Sequence, residues 1–397
     1  MTAGAARDAR PRLDPRDPLG LESLLSDAER SRRDEARRFV TERFAPDVEE
    51  LFRAARWPRE IAPELGRLGV LGMHLDGYGC AGASAVEYGL ACLELEAGDS
   101  GLRTFVSVQG SLAMTAIHEW GSEEQKQRWL PAMAAGEAVG CFALTEPEAG
   151  SNPAEMRTRA RRDGGDWVLD GTKRWIGMGS IADVAVVWAQ TDDGVRGFLV
   201  PAGTDGFTTQ DIEDKHALRA SLQSELRLEG CRLPGDAMLP AAEGLRGPFT
   251  CLNEARYGIA WGVVGAARAC YEAALDRAGE REQFGRPIAG FQLVQERLAD
   301  MASAVARGAL LALHLGRMKD AGRLAVEHVS IGKRDNVRMA QEVARSARAV
   351  LGAEGVTSAY PVMRHMANLE AVATYEGTDE VHTLILGHAI TGIRAFA

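Results

Sequence analysis

A short stretch near the C-terminus presents a single acid between two helix-favouring segments. Glu376 stands in Tyr375-Glu376-Gly377-Thr378, which interrupts the apolar helical period of its surroundings. Such a break could be a solvated turn between two helices. It could also hold a carboxylate in an apolar pocket, where burial raises the pKa and suits the group to act as a general base.

A second group of polar residues lies in the mostly apolar segment ELEAGDSGLRTFVSVQGS. Its members are Glu96, Arg103 and Ser107. A buried arginine needs an anionic partner, because its guanidinium stays charged in proteins. That partner could be Glu96, which would make a structural ion pair, or the carboxylate of a ligand. The residue types leave both interpretations open.

Two stretches in the middle of the chain could contact a cofactor. In CFALTEPEAGSNPAEM, Thr145, Gly150 and Ser151 combine hydroxyl groups with a backbone that permits close approach, so they could hydrogen-bond a ring and phosphates. In GTKRWIGMGS, Trp175 beside Ile176 could form a flat wall against an aromatic ring. The plainer interpretations are a polar loop that leads into a strand and a tryptophan in the core of a sheet.

Two further stretches carry weaker signals. In REQFGRPIAGFQ, Arg281 and Gln283 precede Phe284 at the expected start of a helix, where an arginine could bind a diphosphate or belong to a solvated cluster of charges. The stretch GYGCAG fits a dinucleotide-binding pattern. Helix rather than a series of parallel strands follows it, which favours a glycine-rich loop before a helix. No cysteine or histidine spacing indicates a metal site.

The elements that must position these residues change in character along the chain. Residues 1–139 read as helical, residues 140–247 contain short β-prone runs separated by turn residues, and residues 248–397 return to a helical period. The turn GGD within the middle part is typical of a hairpin. The sequence therefore predicts an α+β protein of several domains, with a helical part, a β part and a helical bundle.

Helix boundaries follow from caps and apolar spacing. Ser26 with Glu29, and Ser122 with Gln125, are typical of capping boxes at helix starts. RMAQEVARSARAVLG is predicted to be a helix that stops at Gly352, and TSAYPVMRHMANLEAVAT a helix that ends at the stretch around Glu376. A longer helix is indicated by apolar residues at three- and four-residue spacing, which should form one buried stripe: Phe291, Val294, Leu298, Met301, Val305, Ala309 and Ala312.

Composition narrows the class of partner. A net charge of −10 and a pI near 5.5 argue against binding of nucleic acid or of an anionic membrane surface. Six cysteines without a CxxC pair are expected to be reduced, as in a cytoplasm. The first residues lack the features of a targeting segment, and the longest uncharged apolar stretch is too short to span a bilayer.

Taken in order, these stretches resemble the acyl-CoA dehydrogenase family over essentially the whole chain, and glutaryl-CoA dehydrogenases in particular. The shared sequences are GYGCAG, DSG-x-R with SVQ, GSEEQ, LTEP, GTK-x-W-I, LRAS, CLN-x-ARYGIAWG, QFG-x-P, RHMANLEAV, and TYEGT followed by LILG-x-AITGI. The resemblance implies an N-terminal helical domain, a middle β-barrel or sandwich domain and a C-terminal four-helix bundle. It also implies FAD at the junction, and a homotetramer in which neighbouring subunits complete each FAD site.

The resemblance assigns a role to each candidate residue. Glu376 is similar to the catalytic base. The group that recognises a distal substrate carboxylate would be Arg103, Glu96, Ser107 and Tyr375, and the CoA side would be Asn253 and Arg256. Flavin contacts of one subunit would be Leu144, Thr145, Gly150, Ser151, Trp175 and Ile176, with Thr378 and Glu380 after the base. Contacts to the flavin of a partner subunit would be Arg281, Gln283, Phe284, Gly352 and Gly355.

The implied reaction is oxidation of a carboxylate-bearing acyl thioester such as glutaryl-CoA. Glu376 would remove the Cα proton while the Cβ hydride goes to the flavin. The unsaturated product would lose its distal carboxyl group as CO2 and yield crotonyl-CoA. Electrons would then leave to an electron transfer flavoprotein or to O2.

Four positions depart from the family pattern. Gly177 follows Trp175-Ile176 where the family usually has threonine or serine, Asn152 replaces a usual aspartate, Thr104 replaces a usual serine, and DEVH after TYEGT lacks a usual leading histidine. Gly177 supports an alternative: a flavoenzyme of secondary metabolism that decarboxylates, desaturates and oxygenates a peptidyl β-keto acid to an epoxyketone with O2. A flavin-free scaffold protein is disfavoured by the presence of both Glu376 and Arg103.

Overall fold

The computed structural model describes residues 13–395, with helices in the first and last thirds and strands in between. The α-helices are α1 Asp27–Phe39, α2 Val48–Ala54, α3 Ala62–Leu68, α4 Ala85–Gly98, α5 Ser100–Ser107, α6 Thr115–Trp120, α7 Glu123–Ala134, α8 Arg246–Glu280, α9 Gln292–Asp320, α10 Val326–Leu351, α11 Val362–Val372 and α12 Asp379–Thr391. A π-helical stretch, Val108–Met114, joins α5 to α6 without a break.

Side-chain caps fix the starts of α1 and α7, as predicted. Ser26 accepts a hydrogen bond from the Glu29 backbone N–H at 3.3 Å, and the Glu29 carboxylate accepts one from the Ser26 N–H at 2.8 Å. Ser122 and Gln125 form the same reciprocal pair. Each box satisfies two of the N–H groups that a helix start leaves without partners. The GYGCAG stretch is a loop before α4, so the prediction of a glycine-rich loop before a helix is confirmed.

The middle of the chain forms a mainly antiparallel sheet. Its strands are β1 Gly140–Ala143, β2 Arg159–Asp163, β3 Asp166–Gly177, β4 Val184–Thr191, β5 Gly194–Pro201, β6 Phe207–Asp211 and β7 Gln223–Leu233. Their order is β1-β4-β2-β3-β7-β6, with β5 paired to β4. The hairpin predicted at GGD is confirmed, because Asp163 pairs with Asp166 across a turn in which Gly164 has a φ of +64°.

Helix α8 runs through the centre of the helical region, with α4 on one side and α10 on the other. Glycines on α8 allow the close approach of its neighbours. A Cβ at Gly265 would lie 1.8 Å from the carbonyl oxygen of Leu93 on α4. A Cβ at Gly262 would lie 2.1 Å from the Glu96 carboxylate. The α8 backbone therefore passes directly over polar side chains of α4 and α5.

Three helix predictions need adjustment. The stripe on α9 has the expected period, but only Met301 and Ala312 are buried. Its other members are half-buried: Phe291, Val294, Leu298, Val305 and Ala309. Helix α10 ends where predicted, before Gly352, yet begins at Val326, twelve residues earlier than the predicted run. Helix α11 begins later than predicted because Pro361 is its N-cap.

The predicted fold class is confirmed, and the predicted domain boundaries stay a prediction. Within the described residues, α9 is the one helix long and apolar enough to cross a membrane by length and composition, a test that core helices of soluble proteins also pass. Only 33% of its most apolar window is buried within the chain.

Two exposed strands, β8 Glu282–Gln283 and β9 Arg286–Pro287, form a small hairpin between α8 and α9.

Candidate active site

Glu376 lies in the turn between α11 and α12, in a left-handed backbone conformation with a φ of +55°. Thr378 begins α12 by accepting a hydrogen bond from the Val381 N–H at 3.3 Å. The Glu376 side chain points inward: its Oε2 atom is buried and has no hydrogen-bond partner among residues 13–395. A solvated turn would leave this oxygen in water, so the alternative of an exposed acid does not describe it.

The protonation of Glu376 is set by opposing effects. Loss of hydration raises its pKa to about 7, although Arg103, Arg256 and Lys333 favour the charged form. A carboxylate with this pKa can both accept and return a proton near neutral pH.

Arg103 is fully buried on α5 next to this turn. Its Nε donates to Glu96 Oε2 at 2.7 Å, and its Nη2 donates to the hydroxyl of Tyr375 at 2.6 Å. Ser100 donates to the other Glu96 oxygen at 2.9 Å. The guanidinium thus has the structural partner Glu96, but its Nη1 has no partner within the described chain.

Ser107 extends this donor group by one helical turn. Its hydroxyl is buried and likewise has no partner in the described structure. Thr104, which replaces a usual serine, lies 3.5 Å from the Tyr375 hydroxyl. Two unsatisfied buried donors on one helix, beside a buried carboxyl group, fit an anionic acceptor that enters from outside the chain.

Arg256 on α8 connects the predicted CoA side to the base. Its Nε donates to the backbone carbonyl of Glu376 at 2.8 Å, and its Nη1 donates to Asn253 Oδ1 at 3.3 Å. Burial lowers the pKa of the Arg256 guanidinium, and the charge of Glu376 opposes that shift. The two residues predicted for the CoA side therefore meet each other, and one of them supports the turn.

At the sheet, two predicted cofactor segments lie side by side. The Arg174 N–H donates to the Thr145 carbonyl at 2.8 Å, which places Leu144-Thr145 beside Trp175-Ile176. A buried Lys173 reinforces this contact by donating to the Leu144 carbonyl at 3.0 Å and to Glu146 at 2.8 Å.

The same edge carries features that fit a flat aromatic cofactor. Trp175 is 54% exposed despite its size, and its φ of +63° turns it out of the strand. Gly150 and Ser151 lie in an exposed loop nearby in sequence. A Cβ at Gly177 would lie 3.0 Å from Val108. An exposed indole beside hydroxyl and backbone donors fits the isoalloxazine ring of FAD.

The structure corrects the setting of Arg281, Gln283 and Phe284. Sequence analysis placed them at the start of a helix, where the helix dipole would favour a diphosphate. Arg281 instead follows the C-terminal end of α8, and the other two lie in the exposed β8–β9 hairpin. Helix α9 begins only at Gln292, so a phosphate here would depend on side chains alone.

This second group lies apart from the sheet edge. Gly352 and Gly355 follow α10, whose last residues pack in the core of the bundle, whereas Ile176 packs in the separate core of the sheet. Phe284 is 93% exposed. Glu380, also predicted as a flavin contact, is exposed on α12. The chain brings together Glu376, Arg103 and the residues predicted for the CoA side, but not the two sets of predicted flavin contacts.

Sequence analysis missed two residues that contact the base turn. The Lys333 ammonium on α10 is buried against it, and His382 on α12 lies within hydrogen-bond distance of the Glu376 carbonyl. The helical spacing of Val329, Lys333 and Val337 could have indicated a buried lysine, because it places Lys333 on an apolar face.

The chain matches three family models in sequence order. They are acyl-CoA dehydrogenase N-terminal domain over residues 26–137, middle domain over 141–231 and C-terminal domain over 242–391. Human mitochondrial short-chain specific acyl-CoA dehydrogenase is 34% identical over 357 residues, which cover 88% of this chain and 85% of that protein.

Two solved structures are more similar. Glutaryl-CoA dehydrogenase from Mycobacterium smegmatis is 61% identical with a TM-score of 0.96, covering 97% of this chain and 100% of that one. A second glutaryl-CoA dehydrogenase structure from the same organism, in complex with FADH2, is 57% identical with a TM-score of 0.95 and covers 96% and 99%.

Proposed function

Because the chain belongs to the acyl-CoA dehydrogenase family and is an FAD-dependent oxidoreductase, we propose that it oxidises and decarboxylates a carboxylate-bearing acyl thioester such as glutaryl-CoA. Crotonyl-CoA and CO2 would be the products. The observation that carries the proposal is the unpartnered Nη1 of buried Arg103, beside the turn that holds Glu376.

The arginine supports a substrate with a distal charge. Glu96 already balances one unit of charge, yet the guanidinium keeps one donor directed at no group of the described chain. A carboxylate could accept from Nη1 and from Ser107. An acyl chain with a methyl end would leave both donors buried and unpaired, which is costly.

Glu376 has the properties of the base in this reaction. Hydrogen bonds to the thioester carbonyl acidify the Cα proton, and a carboxylate with a raised pKa can accept it. FAD, when bound, supplies the acceptor for the hydride that leaves Cβ. When the C–C bond to the distal carboxylate breaks, CO2 leaves and its electron pair forms a dienolate. Protonated Glu376 returns its proton to that dienolate.

The remaining predicted residues would hold cofactor and CoA. Leu144, Thr145, Trp175 and Ile176 form the sheet-edge wall for the flavin of the same subunit, with Gly150 and Ser151 in the adjoining loop and Thr378 and Glu380 after the base. Asn253 and Arg256 would contact the CoA moiety. Arg256 would do so with its remaining donors, since its Nε bonds the Glu376 carbonyl.

A neighbouring copy would complete the flavin site. Phe284, between β8 and β9, is 93% exposed, and Leu293, near the start of α9, is 73% exposed. Only 33% of the most apolar window of α9 is buried within the chain. Exposed apolar side chains on such a scale are typical of an interface. We propose that Arg281, Gln283, Phe284, Gly352 and Gly355 contact the flavin of a partner subunit in a homotetramer. An electron transfer flavoprotein or O2 as acceptor and a cytoplasmic location are further parts of the proposal.

Anaerobic flavin reduction tests the substrate. Glutaryl-CoA should bleach the flavin absorbance and release CO2. Butyryl-CoA has the same carbon chain without the distal carboxylate, and its kcat/KM should be lower by roughly 100-fold, because it leaves Arg103 unpaired. Equal rates with the two thioesters would contradict the proposal.

A different result of the flavin-reduction experiment would support the epoxyketone alternative. Gly177, the feature that favoured it, lies so close to Val108 that a Cβ would be 3.0 Å from it, and it adds no group that could contact O2. Failure of glutaryl-CoA to bleach the flavin, together with O2 consumption in the presence of a peptidyl β-keto acid, would support the alternative over the proposed function.

A further inference from the structure

A buried lysine joins both sides of the turn that presents Glu376. The Lys333 Nζ donates to the carbonyl of Tyr375 at 3.0 Å and to the carbonyl of Gly377 at 2.6 Å. The residue is 1% exposed and lies on α10. One ammonium group therefore holds the carbonyls of the residues before and after Glu376, the residue in the left-handed conformation.

The carbonyl between them is held from two other helices. Arg256 on α8 donates to the Glu376 carbonyl at 2.8 Å, and His382 Nε2 on α12 lies 3.3 Å from it. His382 is itself fixed by Ser330, whose hydroxyl is 3.0 Å from Nδ1. Three consecutive carbonyls thus accept from three helices. A left-handed glutamate costs about 1 kcal/mol or more and persists only when its surroundings determine it.

The partners of Lys333 differ from those of a structural buried lysine elsewhere in the chain. Lys173 is also fully buried, but it donates to the Glu146 carboxylate at 2.8 Å, so its charge is neutralised within a pair. Within the described residues, Lys333 bonds carbonyls only, and no carboxylate lies within salt-bridge distance of it. Its charge is left to act on the surrounding groups, among which Glu376 has the largest charge effect on it.

We propose that Lys333 is the positioning residue of the base: it fixes the left-handed turn through two carbonyls and favours the ionised state of Glu376 through its uncompensated charge. This inference rests on the proposed role of Glu376. The charged and titratable groups that face Lys333 come from α5, α8, the turn and α12, and they are Arg103, Arg256, Glu376, Asp379 and His382.

Among these groups, Glu376 has the largest charge effect on Lys333. Burial lowers the pKa of Lys333 to about 8, and Glu376 opposes that shift more than any other group. The lysine is therefore charged at neutral pH, where Glu376 titrates. Removal of a cation beside a carboxylate raises the carboxylate pKa by about one unit or more.

Two variants separate charge from shape. In Lys333→Met both hydrogen bonds and the charge are lost, so the acid limb of the pH profile of kcat/KM should move up by about one unit and turnover at pH 7 should fall at least about tenfold. In Lys333→Arg the charge remains, so the acid limb should stay in place while kcat falls. The Glu376 carboxyl band in infrared difference spectra, identified by its loss in Glu376→Gln, reports the same pKa without turnover.

Arg334 provides the matched control. It is the next residue on α10 and bridges to Thr383 on α12 at 2.9 Å, without touching the three carbonyls. Arg334→Met should lower the thermal midpoint but leave the acid limb unchanged. An unshifted acid limb in Lys333→Met, or an equal shift in Arg334→Met, would overturn the inference. If Lys333→Met does not fold, an acid limb displaced in Lys333→Arg would overturn it as well.

Glu376→Gln distinguishes a failure of the proposed function from a failure of the positioning role of Lys333. An active Glu376→Gln would refute the proposed function, and the role of Lys333 with it. An inactive Glu376→Gln beside a Lys333→Met that behaves as the wild type would refute the positioning role alone.

Discussion

At the scale of single residues, Glu376 combines a fixed backbone with a pKa near neutrality. The protein surrounds one carboxyl group with three cationic side chains, yet burial still raises its pKa to about 7. Burial thus outweighs the three charges and brings the pKa into the range where the enzyme would act. Small changes in the local charge should therefore have measurable kinetic effects.

The pH dependence of kcat/KM follows directly. Only ionised Glu376 can accept the Cα proton, and ionisation occurs as the pH rises through about 7. The value of kcat/KM for glutaryl-CoA should therefore increase tenfold per pH unit below 7 and level off above it. Measurement from pH 5.5 to 8 with the flavin-loaded enzyme checks this, and a flat profile would contradict it.

Replacement of the base should affect stability in a pH-dependent way. The folded-state pKa of Glu376 lies above its ordinary value, so the folded protein holds a proton that the unfolded chain releases, and stability falls as pH rises between the two values. Glu376→Gln removes the ionisable group. It should abolish turnover, retain flavin and raise the thermal midpoint by about 2 °C at pH 8.

At pH 5 the same variant should gain little, because the wild-type carboxyl group is already protonated in the folded state. Thermal scans of both proteins at the two pH values provide the comparison. A midpoint lower than that of the wild type at pH 8 would show that the carboxylate stabilises the turn.

The sequence indicated the chemistry of some residues better than that of others. Arg103 and Glu376 could be singled out as charges in apolar or helix-favouring runs, but the residue types left a structural interpretation open for each, and the resemblance assigned their roles. Lys333 could not be predicted, since its function depends on carbonyl groups that lie 42 and 44 residues away along the chain. Every residue has a backbone carbonyl, so the residue types do not show which carbonyls accept such hydrogen bonds. The meeting of Arg256 with the Glu376 carbonyl was hidden for the same reason.

At the scale of elements, the position of α8 determines whether Glu96 and Arg103 can pair. The α8 backbone passes so close to this pair that a Cβ at Gly262 would lie 2.1 Å from Glu96 Oε2 and 3.3 Å from Arg103 Nε. Glycine at this position therefore supports the orientation of the arginine.

Gly262→Ala should disturb substrate recognition. We expect the methyl group to displace the Glu96 carboxylate, to lower the free energy of unfolding by about 1–3 kcal/mol and to raise the KM for glutaryl-CoA. Gly279→Ala is the control on the same helix, because a Cβ there has no atom within 4 Å. That change should stabilise the protein by about 0.5–1 kcal/mol. Similar KM values in the two variants would contradict the role of Gly262.

Element boundaries were predictable where local chemistry decides them. The capping boxes of α1 and α7 and the end of α10 at Gly352 depend on neighbouring residues only. The prediction that Arg281 lies at the start of a helix was wrong. The hairpin after α8 has no apolar alternation that would distinguish it from the start of a helix. Its two strands are two residues each and fully exposed, so no pattern of burial is imposed on them.

At the scale of the whole molecule, α9 is an apolar helix that the chain covers incompletely, since only 33% of its most apolar window is buried. The fold class could be predicted because the change from helical to β periodicity near residue 140 is local. The extent to which the chain buries α9 could not be predicted. The apolar stripe has the same period whether it faces its own chain or another copy. In the proposed assembly, half-buried residues such as Val294 would be covered by another copy.

Leu293→Asp should therefore weaken the association of subunits. A charge at the start of α9 would have to be buried in the proposed interface, so sedimentation should show a smaller species, and the flavin content should fall with it. Leu19→Asp, at an exposed leucine far from α9 in sequence, serves as the control. Full flavin occupancy in a monomeric Leu293→Asp would contradict shared flavin sites.

The turn around Glu376 is held by its peptide groups, and no hydrogen bond within the described chain ends on its carboxylate. No hydrogen bond within the described chain therefore has to break when the side chain changes its torsion angles, while the main chain stays held. In the proposed reaction the proton is removed at one carbon and returned two bonds further along the substrate. A Glu376 carboxylate that changes its torsion angles on a fixed turn could make both transfers itself. The proton would then not need to exchange with water between them.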